Sequence, residues 1–145
     1  MRLNLRFQDY ISIKLHKTDL VLTSFIKSKL EPYNLAPEQN LIMMLLWEKD
    51  GLTQNQLGKF LHKDKTNITR MASSLEKKEL IKRIQCQEDK RATKIFLTPK
   101  GRDLGNEVIP VAEQFNGVVC KDLTTRELTE LDRLLSKISQ NVQSV

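Results

Sequence analysis

Cysteine, histidine, glycine and aromatic residues are all scarce in this chain, and each shortage closes off a class of function. The two cysteines, Cys86 and Cys120, form no Cys-x-x-Cys pair, so neither a redox motif nor a disulfide framework is expected. The two histidines are His16 and His62. A metal site would have to join His16 to a carboxylate such as Asp19, and an exposed or capping histidine is the better expectation. There is no His-Glu-x-x-His, no Gly-x-Ser-x-Gly and no phosphate-binding glycine loop. No enzyme, cofactor or metal is therefore expected. The N-terminus lacks the apolar stretch of a secretory signal. The longest apolar run, residues 41–47, is far too short to span a bilayer. A soluble, cytoplasmic protein without a membrane role follows. Internal repeats and low-complexity segments are absent as well.

What is present is charge, unevenly placed. The 145 residues carry a formal net charge of +6. Residues 51–100 hold 12 Lys and Arg against 5 Asp and Glu, a net of +7, and the rest of the chain is close to neutral. Such segregation marks a nucleic-acid face. A membrane-surface helix is disfavoured, because the cations are spread over several elements.

Within that stretch a helix is predicted from Asp64 to about Lys78. Asp64 suits the N-cap and the positive end of the helix dipole. Ile68, Met71, Ala72 and Leu75 form a core-facing stripe. Thr66, Arg70, Ser73 and Lys77 fall roughly opposite, flanked by Asn67 and Ser74. Arg can read guanine bidentately, Asn can read adenine, and Ser or Thr can serve bases or phosphates. An ordinary solvated face has a similar composition, so the neighbours decide. Before it, Thr53 with Gln56 forms a capping box. Leu57, Phe60 and Leu61 give that helix an apolar side, and Gly58 suits close packing. After it, residues 80–85 and 94–98 read as strands, with Ile95 and Leu97 pointing inward. Helix, turn, polar-faced helix and charged hairpin make a winged helix-turn-helix.

The flanks are helical. Phe7, Tyr10, Ile11 and Leu15, then Leu22, Phe25, Ile26 and Leu30, predict one long helix, bent near Thr18-Asp19. Pro37 opens a helix that is apolar nearly all round and should be buried, with Gly51 as its stop. Thr98-Pro99 starts another, with Gly101 and Gly105 for close packing and Pro110 as a kink. Thr124 with Glu127 caps the last helix, where Leu128, Leu131, Leu135, Ile138 and Val142 form a coiled-coil-like seam. At 39% hydrophobic residues the chain is lean for its length, which hints at a partner for these helices.

Five fragments occur in order: Gly51-Leu52-Thr53-Gln54-Asn55-Gln56-Leu57, Asp64-Lys65-Thr66-Asn67-Ile68-Thr69-Arg70, Leu75-Glu76-Lys77-Lys78, Asp89-Lys90-Arg91-Ala92 and Leu97-Thr98-Pro99-Lys100-Gly101. Together they resemble the MarR family of dimeric winged-helix transcription factors. The resemblance covers nearly the whole chain. It departs at Glu79, where the family usually has Gly. That position must either accept a left-handed conformation or end the helix differently.

The resemblance implies a mainly α fold with a small β-wing, a winged helix-turn-helix carrying long N- and C-terminal dimerisation helices. The expected division is 1–36 for the N-terminal dimerisation helix, 37–98 for DNA binding and 99–145 for the C-terminal dimerisation helices. It implies a homodimer on double-stranded, pseudo-palindromic DNA, acting as a repressor relieved by a small aromatic or anionic effector. Lys63, Lys65, Thr66, Asn67, Thr69, Arg70, Ser73, Ser74 and Lys77, with Asp89, Lys90 and Arg91 of the wing, are the expected DNA contacts. Phe7, Tyr10, Ile11, Leu128, Leu131, Leu135, Ile138 and Val142 are the expected dimer contacts. Met43, Met44, Trp47 and Phe115 are the candidate effector pocket, although at helical spacing such residues are more often core. Two alternatives stand beside this one. A winged helix can serve protein–protein contact, which the basic central stretch argues against. Cys86, near Arg83, Lys90 and Arg91, could be a redox-sensing thiol. An unreactive strand-end thiol is preferred, since thiol-sensing relatives carry their cysteine in the first helix.

Overall fold

In this computed structural model, residues 5–89 and 92–145 are described. They form α1 (Ile11–Leu30), α2 (Pro37–Glu48), β1 (Leu52–Thr53), α3 (Gln54–Leu61), α4 (Lys65–Lys77), β2 (Ile81–Gln85), β3 (Thr93–Leu97), α5 (Pro99–Val119) and α6 (Thr125–Gln143). Two compact units divide the chain, one up to Ala112 and one from Glu113 to Val145. No helix among the described residues is long and apolar enough to cross a membrane.

In the first unit, α1 begins later than its apolar spacing suggests. Phe7–Asp9 is a single 3-10 turn and Tyr10 is extended, with φ −69° and ψ 125°. The Tyr10 carbonyl accepts the first bonds of α1, so Phe7 and Tyr10 lie outside that helix. From Ile11 the helix runs unbroken through Thr18-Asp19. Asn34, at φ 55°, turns the chain so that Leu35 is buried and Pro37 opens α2. Burial of α2 is one-sided, contrary to the expectation of a fully buried scaffold. Asn40, Ile42, Met43 and Leu46 are buried, whereas Leu41 and Met44 stay exposed. Hydrophobicity all round a helix does not say which faces its own chain covers.

The sheet is antiparallel in the order β1-β3-β2. The β2–β3 hairpin pairs Ile81 with Leu97 and Arg83 with Ile95, which puts Ile81, Ile95 and Leu97 in the core. The third strand, β1, was not expected. Two residues are too few to show alternation, and only the pairing of Leu52 with Ile95 defines it. Leu30, Ile42, Met43, Leu46, Leu57, Ile68, Leu75, Ile81, Ile95 and Val108 are each at most 1% exposed. Burying one such side chain is worth about 1.5–3 kcal/mol. The stripe of α4 and the scaffold of α2 therefore share one core.

Two glycines set the seat of α5. A Cβ on Gly101 would lie 2.0 Å from the Leu80 carbonyl oxygen, and one on Gly105 would lie 2.9 Å from the Trp47 indole nitrogen. That nitrogen donates to the Gly101 carbonyl at 2.9 Å, which fixes the ring over the helix.

The second unit holds the end of α5 and α6. Asp122, at φ 62°, turns the chain, and Thr124 caps α6 with both bonds of the box to Glu127. No residue of α6 is buried.

Candidate nucleic-acid interface

The helix-turn-helix is built by local hydrogen bonds that the sequence anticipates. The Thr53 hydroxyl accepts the Gln56 N–H at 3.1 Å, and the Gln56 side chain accepts the Thr53 N–H at 2.8 Å. Gly58 passes close to the Lys63 carbonyl, where a Cβ would sit 3.0 Å from the oxygen. His62 takes the left-handed conformation at φ 52°, and the Asp64 carboxylate then accepts the Asn67 N–H at 2.8 Å. Phe60 departs from expectation. It is 62% exposed, because Leu57 and Leu61 already occupy the inward side of α3.

On α4 the buried stripe is as expected: Ile68, Met71, Ala72 and Leu75. Opposite them, Thr66, Arg70 and Lys77 are exposed and Ser73 is half-buried. Arg70 donates to the Asn67 side-chain oxygen at 2.8 Å, so the two side chains are already oriented together. Lys65 is exposed, while Lys63 pairs with Glu38 at 3.1 Å. Two other expected contacts are engaged inward. The Thr69 hydroxyl accepts from Gln54 at 3.3 Å, and the Ser74 hydroxyl from Gln39 at 2.8 Å. Gln54, Asn55, Gly58 and Lys59 join Lys63 and Lys65 around a depression of about 300 Å³. Lys59 was not among the expected contacts. Its cationic charge in the basic stretch is the only signal, since the sequence does not tell which side of α3 it takes.

The helix ends in a full left-handed motif. Glu79, at φ 63°, donates its N–H to the Glu76 carbonyl at 2.9 Å, and Leu80 donates to the Leu75 carbonyl at 3.1 Å. Glu79 thus takes the conformation that glycine favours. Glu76 reaches across to the hairpin, where its carboxylate accepts from the Arg83 guanidinium at 2.9 Å and from the Arg83 N–H at 3.2 Å. Those bonds hold its pKa below the usual carboxylate value. At the hairpin tip Cys86 donates to the Ala92 carbonyl at 2.8 Å, and Ala92 to the Asp89 carbonyl at 2.9 Å. Lys90 and Arg91, two of the expected wing contacts, lie outside the described residues.

A model of the MarR family matches residues 35–93, from the start of α2 into the wing. The organic hydroperoxide resistance transcriptional regulator of Bacillus subtilis (strain 168) is 28% identical over 108 residues, 74% of this chain and 74% of that protein. The HTH-type transcriptional regulator TtmR of Methylorubrum extorquens (strain PA1) is 31% identical over 110 residues, 76% of this chain and 56% of that protein. The crystal structure of a MarR-family transcriptional regulator from Listeria monocytogenes, complexed with 26mer DNA, superposes with a TM-score of 0.83. It is 28% identical, and the match covers 92% of this chain and 89% of that one. The chain matches the MarR family over residues 35–93 and resembles a regulator of that family in fold over most of its length. It is a DNA-binding transcriptional regulator and not an enzyme.

The remaining expected residues sit as follows. Phe7, Tyr10 and Ile11 are exposed at the start of the first unit. Leu131, Leu135, Ile138 and Val142 are exposed along α6, and Leu128 is half-buried. In the candidate effector set, Met43 is fully buried and belongs to the core, because it faces inward from α2. Met44 is exposed, and Trp47 is half-buried and committed to Gly101 and Gly105. Phe115 belongs to the second unit. Cys86 and Cys120 are half-buried, and the Cys120 thiol approaches the Asn116 side-chain oxygen at 3.7 Å.

Proposed function

We propose that this chain acts as a cytoplasmic homodimeric repressor that reads a pseudo-palindromic operator and is released by a small anionic or aromatic effector. The observation that carries the reading is the pairing of two features. One is an outward face of Thr66, Arg70, Ser73 and Lys77 on α4. The other is a set of exposed apolar side chains on a flanking helix of each unit, Val21 and Phe25 on α1 and, separately, Leu131, Leu134, Leu135 and Ile138 on α6. Apolar side chains left in water on each of these helices ask for a partner. A second copy meets the demand and sets two recognition helices about one DNA turn apart. Resemblance to the family favours repression and an effector. A cleft of about 940 Å³ lined by Tyr33, Lys77, Lys78, Leu80, Lys100, Leu104 and Glu107 offers room and cations for one. The division expected earlier, 37–98 for DNA binding with dimerising helices on either side, is part of the same proposal. So is minor-groove contact by Arg91.

Selection from a random duplex library tests the reading. Two half-sites related by a dyad, about ten base pairs apart, are expected. On the selected duplex Arg70→Ala should cost about 1–3 kcal/mol and relax preference at one position per half-site. A single asymmetric site would refute the dimeric reader. Equal loss on all sequences would make Arg70 a phosphate contact.

A further inference from the structure

We infer that Gln39 and Gln54, neither on the recognition helix, are positioning residues that fix its roll about its own axis and thereby set its sequence specificity. At about 100° per residue, the buried stripe Ile68–Met71–Ala72–Leu75 has a centre line along α4. Thr69 lies about 110° to one side of that line and Ser74 about 110° to the other. These are the two α4 hydroxyls that accept hydrogen bonds from neighbouring helices. Thr69 takes its bond from Gln54 of α3 at 3.3 Å, and Ser74 takes its bond from Gln39 of α2 at 2.8 Å. Each flank is thus tied to a different scaffold helix.

Gln39 is itself held from three directions. Its amide oxygen accepts the Ala36 N–H at 3.3 Å and the Lys78 ammonium at 2.7 Å, while its nitrogen donates to Ser74. Lys78, which caps the C-terminus of α4, also donates to the Asn34 carbonyl at 2.6 Å. Burial pushes the Lys78 ammonium below its usual pKa. The last turn of the recognition helix is therefore fastened to the α1–α2 connection both through the Gln39 amide and directly from Lys78 to Asn34.

The need for such pins follows from the geometry of reading. Apolar burial is non-directional, so the stripe fixes how deep α4 sits better than how it is rolled. Side-chain tips lie roughly 6 Å from a helix axis, so a roll of about 10° moves them by roughly 1 Å. The useful range of a hydrogen bond is roughly half that. A small roll would spare phosphate contacts from flexible lysines but spoil base-edge contacts from Arg70 and Thr66. In this assignment Thr69 and Ser74 serve the roll and not the DNA.

The inference rests on α4 reading bases, so Arg70→Ala runs in parallel. The full chain is used, and affinities for a selected duplex and a scrambled one are measured by fluorescence anisotropy across salt. Ser74→Ala and Gln39→Met should each lower the ratio of the two affinities at least fivefold. Binding to the scrambled duplex and the salt slope should stay unchanged. The double variant should lose no more than Gln39→Met alone, because that change already removes the bond that Ser74→Ala cuts. Gln39→Glu should restore the ratio, since a carboxylate accepts from the Ser74 hydroxyl and keeps the Lys78 bond. Gln54→Met and Thr69→Val should repeat the pattern on the other flank. Ser74→Ala removes a single oxygen and carries the test should Gln39→Met fold poorly. A wild-type ratio in Ser74→Ala overturns the inference. So does an additive loss in the double variant, which would make Ser74 a DNA contact in its own right. If Arg70→Ala weakens all sequences alike, the base-reading face itself is wrong, a result distinct from a failure of the pins.

Discussion

Replacing Glu79 by Gly should stabilise the protein. Glu79 holds φ 63°, a conformation that costs a residue with a Cβ about 1–2 kcal/mol. Its backbone has work to do there. The N–H bonds the Glu76 carbonyl, and the Glu79 carbonyl accepts from the Thr98 hydroxyl at 2.6 Å. Glycine keeps both bonds and removes the strain. Against that gain, glycine frees the unfolded chain by about 0.4–1 kcal/mol. The balance is a net stabilisation of up to about 1.5 kcal/mol, which for a chain of this size raises the melting temperature by up to about 5 °C. Thermal unfolding by circular dichroism reads it, at one protein concentration because a dimer's stability depends on concentration. Glu79→Ala is the control. It deletes the carboxylate but keeps the Cβ, so it should gain much less than glycine. If alanine stabilises as much as glycine, the relief comes from the charge and the strain argument fails. A melting temperature lowered by glycine would also refute it.

Gly101→Ala should cost at least about 3 kcal/mol, at or above the upper end of the usual overpacking range, because the obstacle is the Leu80 backbone carbonyl and not a yielding side chain; urea unfolding measures it. Leu131→Glu with Leu135→Glu should give monomer or unfolded chain in sedimentation, since burying two carboxylates against apolar surface costs several kcal/mol, and an unchanged dimer would place the interface elsewhere. The Glu76–Arg83 bonds lower the folded pKa of Glu76 below 4.5, so their contribution is present above that value and is lost as the pH falls through the depressed one. Glu76→Gln should therefore flatten the loss of stability below about pH 4.5 in acid titrations, by a small amount because the pair is partly solvated.

The sequence by itself determined the helix-turn-helix, and the reason is that its signals are local. Capping boxes at Thr53 and Thr124, the Asp64 cap and the period of Ile68, Met71, Ala72 and Leu75 each act within a turn or two of chain. The hairpin and the glycine seats of α5 were legible for the same reason. Tertiary structure decided whatever depended on which neighbour fills a space. Apolar spacing could not tell that Tyr10 is extended, that Phe60 faces out, or that Met43 is core while Met44 is not. It could not find β1, which exists only because β3 lies beside it. Nor could it separate Thr69 and Ser74 from Thr66 and Ser73. All four are short hydroxyl side chains on one helix, and only the glutamines placed beside two of them, Gln39 and Gln54, turn those two from the outer face to the scaffold.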